Sequence, residues 1–574
     1  MRLWSGGTWA ALGALGALAL ASAPWSLDPE RLAERLNDST PITEGARWQV
    51  PESATFRLFP RPMVDVSGLR LVDASGAEAL SASAAAMALS PWRLLTGGFE
   101  IDEARLRNPK ATLDLDAIQQ RLGHLRPPLR RLIVKGGHAR LVSRRLGLDG
   151  DFAPFSGWIA WADDPQALSF DVGGVWNGEA IRAQVVAFAP DKLAAGGAGR
   201  LEVTYSGKNE SLKFRGQIDS AANPPISGDL ALSAPSLAAA AAWIRLPASP
   251  WMSTLPLALS GQFGGSPSAL TFADATLTLA GQKLDGSLGI SRTDGRWTTS
   301  ANLATDKIDL AALFAKPPEA LDGDGAWSRL SPTGALDPAL DLDLRISAGQ
   351  MGWGTLALAD AALEVNRRGG DWTFRVLDGN FGGGVLNGEV AVSGCALRCR
   401  ERVRANLTHA DLSKTLRPFG FALLSGRATV KVEATAEGDT PETIVATSNG
   451  TATLGADNGA ISGCSFEEAL RRSRRHPFDA ARDLSSGETP FSVARADIVV
   501  KDGIAHLAQT RLAGPGVVID GQGEIDLARR IWNLQFDAAQ ADLKGVPSPT
   551  GARMTLDLTG PWLAPILSVA DSAP

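Results

Sequence analysis

The chain has 574 residues with a formal net charge of −6 and no dense basic tract, so nucleic-acid binding has no electrostatic support. Gly 61 and Pro 34 suit many short strands joined by tight turns. The length accommodates roughly three or four modules.

From Leu3 to Leu27 no residue is charged. As a helix, Trp4 to Trp25 would span roughly 31 Å at about 1.5 Å per residue, close to the ~30 Å hydrocarbon core of a bilayer. Residues 1–27 are therefore expected to be a transmembrane signal anchor, with Trp4, Trp9 and Trp25 at the interfaces and Leu12, Leu15, Leu18 and Leu20 between them. Arg2 precedes the segment, and Asp28 and Glu30 follow it. This asymmetry directs the bulk of the chain across the membrane. Ala21-Ser22-Ala23 also has the form of a signal-peptidase site, which leaves cleavage open, although Pro24 is an awkward first mature residue.

Asp28–Asn37 reads as a short amphipathic helix with Leu32 and Leu36 on one face. Leu113–Leu122 and Ala238–Leu246 are further short helix candidates. Asp309–Phe314 and Asp411–Leu416 look like single turns capped by their leading Asp. Ser465–Arg475 is the other convincing helix, with Glu468 placed for a capping box and an Arg-rich end that suits the dipole.

Nearly everything else has period two. Leu340-Asp341-Leu342-Asp343-Leu344-Arg345-Ile346 alternates without a break, as do Trp372–Val376, Val430–Glu433 and Met554–Leu558. Each such strand turns one apolar and one polar face. A loose repeat links Leu257–Leu303 to Leu340–Val392: an apolar strand, an Ala-Asp-Ala strand, a Gly turn and a Trp strand. About two dozen strands with too few helices to cover them must close on a second sheet, form a barrel, or leave an apolar groove. The groove lining expected from the alternation is Leu212, Phe214, Leu277, Leu279, Leu342, Leu344, Phe374, Leu534 and Phe536.

Catalytic constellations are missing. His124, His138, His409, His476 and His506 are scattered with no ligand spacing, and no nucleophile elbow or phosphate loop occurs. No catalytic residue, metal or cofactor is expected, and the protein is not expected to be an enzyme. Asp114/Asp116 and Asp341/Asp343 read as solvent-facing strand residues. Arg471, Arg472, Arg474 and Arg475 form either a solvated helix face or a contact for anionic headgroups. Cys395 and Cys399 could close a small disulfide loop or remain thiols, with Cys464 left over.

Several phrases, taken in order, resemble the AsmA family of membrane-anchored periplasmic proteins. After the apolar segment come Asp28-Pro29-Glu30-Arg31-Leu32, Thr40-Pro41-Ile42-Thr43, Phe56–Pro62, Val66–Leu71, Met87–Gly97 and Ile101–Pro109. Toward the C-terminus, Leu424–Ala428, Ser448–Ala452, Asp457–Gly463, Lys501–Ala505 and Gly521–Leu527 are similar to the family's closing module. Asn37-Asp38-Ser39 departs from the Thr-Gly-Arg-like phrase that the family often carries, and the chain is short for the family.

The resemblance implies an AsmA-like N-terminal β region at 28–230, a β-repeat region at 231–400 and an AsmA-like C-terminal region at 401–574. Together they form a long curved antiparallel β-sheet groove with a few short helices. It also implies a single-pass protein of the bacterial inner membrane with its bulk in the periplasm. Such a protein would handle phospholipid in support of outer-membrane biogenesis, alone or with envelope protein partners. The other reading is an assembly scaffold that binds no lipid and works through protein partners.

Overall fold

Alternating apolar and polar residues make this chain a sheet former almost throughout, and the computed structural model bears that out. It describes residues 22–569 apart from 40–45, 74–75, 115–128, 144–147, 164–165, 195, 244–245, 247–249, 267, 314–339, 355, 395–397, 418–423, 474–483, 485, 544 and 563. The described residues are mainly strand, with a few short helices at strand ends. They fall into two compact units, Met1–Pro235 with Ala258–Pro267, and Ser236–Leu257 with Ser268–Pro574.

In the first unit the helix Pro29–Ser39 forms as its pattern predicts. The Asp28 carboxylate accepts the Glu30 N–H at 3.0 Å at its start, and Leu32 and Leu36 are buried. They join Val64, Val66, Met87 and Ile101 in one core cluster. Trp25 opens the strand Trp25–Leu27, which pairs antiparallel with Ser53–Arg57. Trp4, Trp9, Leu12, Leu15, Leu18 and Leu20 lie outside the described residues. Among the described residues no helix is long and apolar enough to cross a membrane.

The sheet pairing is mixed, not purely antiparallel. Ile101–Arg107 and Lys110–Asp114 run parallel to Arg131–Ser143, and in the second unit Arg296–Asp309 runs parallel to Leu340–Trp353. The connections, 115–130 and 310–339, exceed the dozen or so residues that a parallel return requires, whereas tight turns such as that between Gln282–Thr293 and Arg296–Asp309 enforce hairpins. The first connection also corrects a helix expectation: Leu113 and Asp114 end the strand Lys110–Asp114, and the remainder of that candidate lies outside the described residues.

The second unit carries most of the repeat. The hairpin of Gln282–Thr293 with Arg296–Asp309 corresponds to that of Leu356–Arg368 with Asp371–Phe381, each with a Trp early in its second strand, and from Leu340 onward the ladder is antiparallel. Three helices sit at one end of its strands. Leu310–Leu313 packs beside Leu303, Ile346 and Met351. Leu412–Leu416 packs beside Ala428, Ala456 and Phe491. Phe466–Ser473 packs beside Val517, Ile519 and Leu556. The Asp411 carboxylate caps its helix by accepting the Ser413 and Lys414 N–H groups at 3.0 and 3.3 Å. Glu468 is engaged by Arg471 and Arg472, while the Phe466 N–H donates to Thr489 Oγ1 at 3.0 Å. At the opposite end, Pro441–Ala446 is a helix the sequence pattern did not announce, opened by a Thr440/Thr443 capping box.

Candidate functional site

Residues directly opposite each other across a ladder share a face, so pairing register assigns every side chain to one side of the sheet. In the first unit one row runs Trp25, Phe56, Val64, Met87, Ala104, Leu132, Ile159, Phe170, Val185, Val203, Phe214 and Leu230. Every member is apolar. Leu212 lies two residues from Phe214 on the same face. Phe214 is buried, with Phe263 edge-on at 6.1 Å.

The second unit carries an equivalent row: Phe272, Leu288, Ala301, Leu344, Val365, Phe374, Val390, Val403, Ala434, Gly450, Val500, Ala505, Ile525, Trp532 and Gly560. A second row beside it runs from Leu303 through Ile346, Leu363, Val376, Ala405, Val432, Ile498 and Leu507 to Leu534 and Leu558. Leu277, Leu279, Leu342 and Phe536 take the same side by register. All seven expected lining residues of this unit therefore lie on one apolar face. Gly450 is required in its row: a Cβ there would meet the Glu433 carbonyl oxygen at 2.2 Å.

How far the face is covered varies along it. Leu534 is buried, and Leu277, Leu279, Leu344 and Phe536 pack beside the helix-capped clusters. Away from those helices the face opens. Phe374 is 38% exposed and Val390 37%, although both lie in the middle of the apolar row. A second sheet packed on this face would have buried them.

At the strand ends opposite the three helices, the face acquires chemistry that reading the sequence missed. Arg292 lies over the Trp297 ring and Arg367 over the Trp372 ring, each guanidinium 5.5 Å from the ring centre. The spacing is the same in both repeat units, so an Arg-x4-Trp hairpin was available as a signal. Trp372 also stacks on Phe374, with ring centres 5.4 Å apart. Nearby, a cavity of about 230 Å³ is lined by Val403, Ala434, Ala436, Ile444, Val445, Leu527, Trp562 and the Glu401 side chain. Burial in these apolar walls pushes the Glu401 carboxyl above its usual range. The volume exceeds the ~150 Å³ of an apolar cavity that admits benzene.

The opposite face is polar and ordered by charge. Arg345, Glu364, Arg375, Glu389, Arg404 and Glu433 alternate in sign across six neighbouring strands. Arg375 reaches Glu364 at 2.9 Å and Glu389 at 2.7 Å, and Arg345 lies 3.6 Å from Glu364. A hydrogen bond from Asn366 and those from Arg375 hold the Glu364 carboxyl below its usual range. A one-residue slip would bring these charges onto the apolar side, so the ladder reinforces register.

The residues set aside as non-catalytic stand apart. Asp341 accepts from Arg296, at 2.6 Å, and from the Gly369 N–H, at 3.0 Å. His506 Nδ1 lies 3.1 Å from Glu524, far along the chain from His138 and His409, and His124 and His476 lie outside the described residues. Asp116, Arg474 and Arg475 do as well. Cys399 is buried and disulfide-bonded, Cys464 is a free thiol whose pKa burial pushes up, and Cys395 lies outside the described residues. Among the described residues no group of three or more His, Cys, Asp or Glu could hold a metal ion.

Residues 279–510 match the model of the AsmA family. The match begins at the end of the strand Ala269–Leu279, runs into the strand Ile504–Gly514 and includes the middle of the apolar row. The N-terminal phrases that carried the resemblance lie outside it. No curated protein and no solved structure matches the chain.

Proposed function

Because residues 279–510 match the model of the AsmA family, we propose that the chain is a non-enzymatic protein of the cell envelope. It is anchored by its N-terminal apolar segment in the inner membrane, with its bulk in the periplasm. There its apolar sheet face shields phospholipid acyl chains from water in support of outer-membrane biogenesis. The observation that carries the reading is the uninterrupted apolar row from Phe272 to Trp532, open at Phe374 and Val390. Exposed apolar surface on this scale costs about 25 cal/mol per Å² in water, and soluble proteins rarely leave it uncovered. Hydrocarbon needs only such a surface, with no set of directed polar groups. The exposed Arg292 over Trp297 at the rim suits the level at which headgroups would leave the groove.

The test is lipid extraction from the purified full chain, with phospholipid quantified by mass spectrometry. Retained phospholipid at a fixed ratio to protein is expected. Lipid-free protein that stays folded and tightly binds envelope proteins would instead favour the scaffold reading.

A further inference from the structure

One end of the first unit exposes large apolar side chains that the sheet does not need. The helix Pro91–Leu95 leaves the strand Glu78–Leu89, and only its Leu94 packs inward on the core cluster. Trp92 is 76% exposed and Leu95 80%, the outward face of a helix with no buried residue. Beside its root, the turn between strands Ser53–Arg57 and Met63–Val72 turns Leu58 and Phe59 outward. The Leu89 N–H donates to the Pro62 carbonyl at 2.9 Å, which ties the turn to the helix. Trp25, 48% exposed, lies opposite Phe56 at this same end, with ring centres 6.1 Å apart. The charge-free stretch from Leu3 arrives here, and exposed Arg61 and Arg93, the latter ion-paired with Glu100 at 2.8 Å, flank the apolar residues.

We propose that this end of the first unit is a membrane-resting surface. Trp92 and Leu95, with Leu58, Phe59 and Trp25 beside them, dip into the interfacial layer of the bilayer that holds the N-terminal segment. Indole and leucyl groups outward with arginine alongside are the chemistry that partitions into the headgroup boundary and meets lipid phosphate. A bilayer fits better than a protein partner because the chain itself enters the patch from an apolar stretch long enough to span one. The placement gives the sheet a fixed footing at the membrane, beyond what a flexible tether would provide. It rests on the anchoring part of the proposed function and not on lipid in the sheet face.

The test uses the full chain reconstituted in vesicles of phosphatidylethanolamine and phosphatidylglycerol. A Cys464→Ser background carries one spin label at a time, at Trp92→Cys, Leu95→Cys or, as a solvent-facing control in the same unit, Lys213→Cys. Labels at 92 and 95 are expected to lose collisions with a water-soluble nickel chelate and gain them with oxygen, and the label at 213 to show the reverse. Nickel exposure at 92 and 95 equal to that at 213 would overturn the proposal. Shielding from both nickel and oxygen would overturn it too, because a protein surface would then cover the patch. Neither outcome bears on lipid extracted from the sheet face, so the two readings fail separately.

Discussion

Phe374→Asp separates an open apolar face from a packed core. About three-fifths of the ring is covered, because 38% of it is exposed. For an aromatic side chain of ~200 Å² that is about 120 Å², worth about 3 kcal/mol at about 25 cal/mol per Å² as an upper bound. The new carboxylate can reach water along the exposed flank, so it adds little to that cost. Leu556→Asp is the contrast. Leu556 is 0% exposed, and an unpaired charge there has no route to solvent. Urea titration is expected to show Phe374→Asp folded with a lowered midpoint and Leu556→Asp unfolded. Extraction should show phospholipid lost from Phe374→Asp. If Phe374→Asp unfolds as completely as Leu556→Asp, something covers the face and the argument from exposure fails.

The surroundings of the site set three further outcomes. Arg375→Gln leaves Glu364 and Glu389 facing each other across the gap and should lower stability by about 1 kcal/mol, as a shift in urea midpoint with unchanged slope. Asp411→Ala removes the acceptor for two helix N–H groups and should cost about 1 kcal/mol. The Ser413 hydroxyl leads the interactions that hold the Asp411 carboxyl below its ordinary 3.8. Its stabilisation is therefore present above that pH and lost as pH falls through the depressed native value, a dependence the alanine variant should lack. Glu401 has the opposite sign. Burial raises its pKa above the ordinary 4.5, so the folded state holds the proton more tightly. That contribution is full below pH 4.5 and lost as pH rises through the native value. Melting temperatures of wild type and Glu401→Gln should diverge in favour of the glutamine as pH rises. Parallel curves would show that the carboxyl is solvated.

Much of the sheet was legible because period two is a direct imprint of a half-buried strand: Leu340–Ile346 alternates on paper and in the ladder. Leu32 with Leu36, and Asp411 at its cap, were equally direct. Strand direction was not legible, because Arg296–Asp309 pairs parallel with Leu340–Trp353 through a connection whose length, not its residue pattern, permits the return. The helices Pro91–Leu95 and Pro190–Ala194 are too short to show periodicity, and Thr443 stands where Glu or Gln usually completes a capping box. The apolar positions of the candidate site could be read locally, but their union into continuous rows is a property of register. Glu401 reads as one more polar strand residue until pairing places it opposite Val392, among the apolar side chains.

The central claim is that one face of this sheet meets hydrocarbon and the other meets water. Photocrosslinking amino acids walked through the full chain in its native membrane test it directly, at Phe374, Val390 and Val403 on one face and Arg375, Glu389 and Arg404 on the other. The account predicts phospholipid adducts from the first three and none from their immediate neighbours, a period-two pattern that only a lipid-bearing strand face produces. Adducts absent from all six, or equal on both faces, would contradict it.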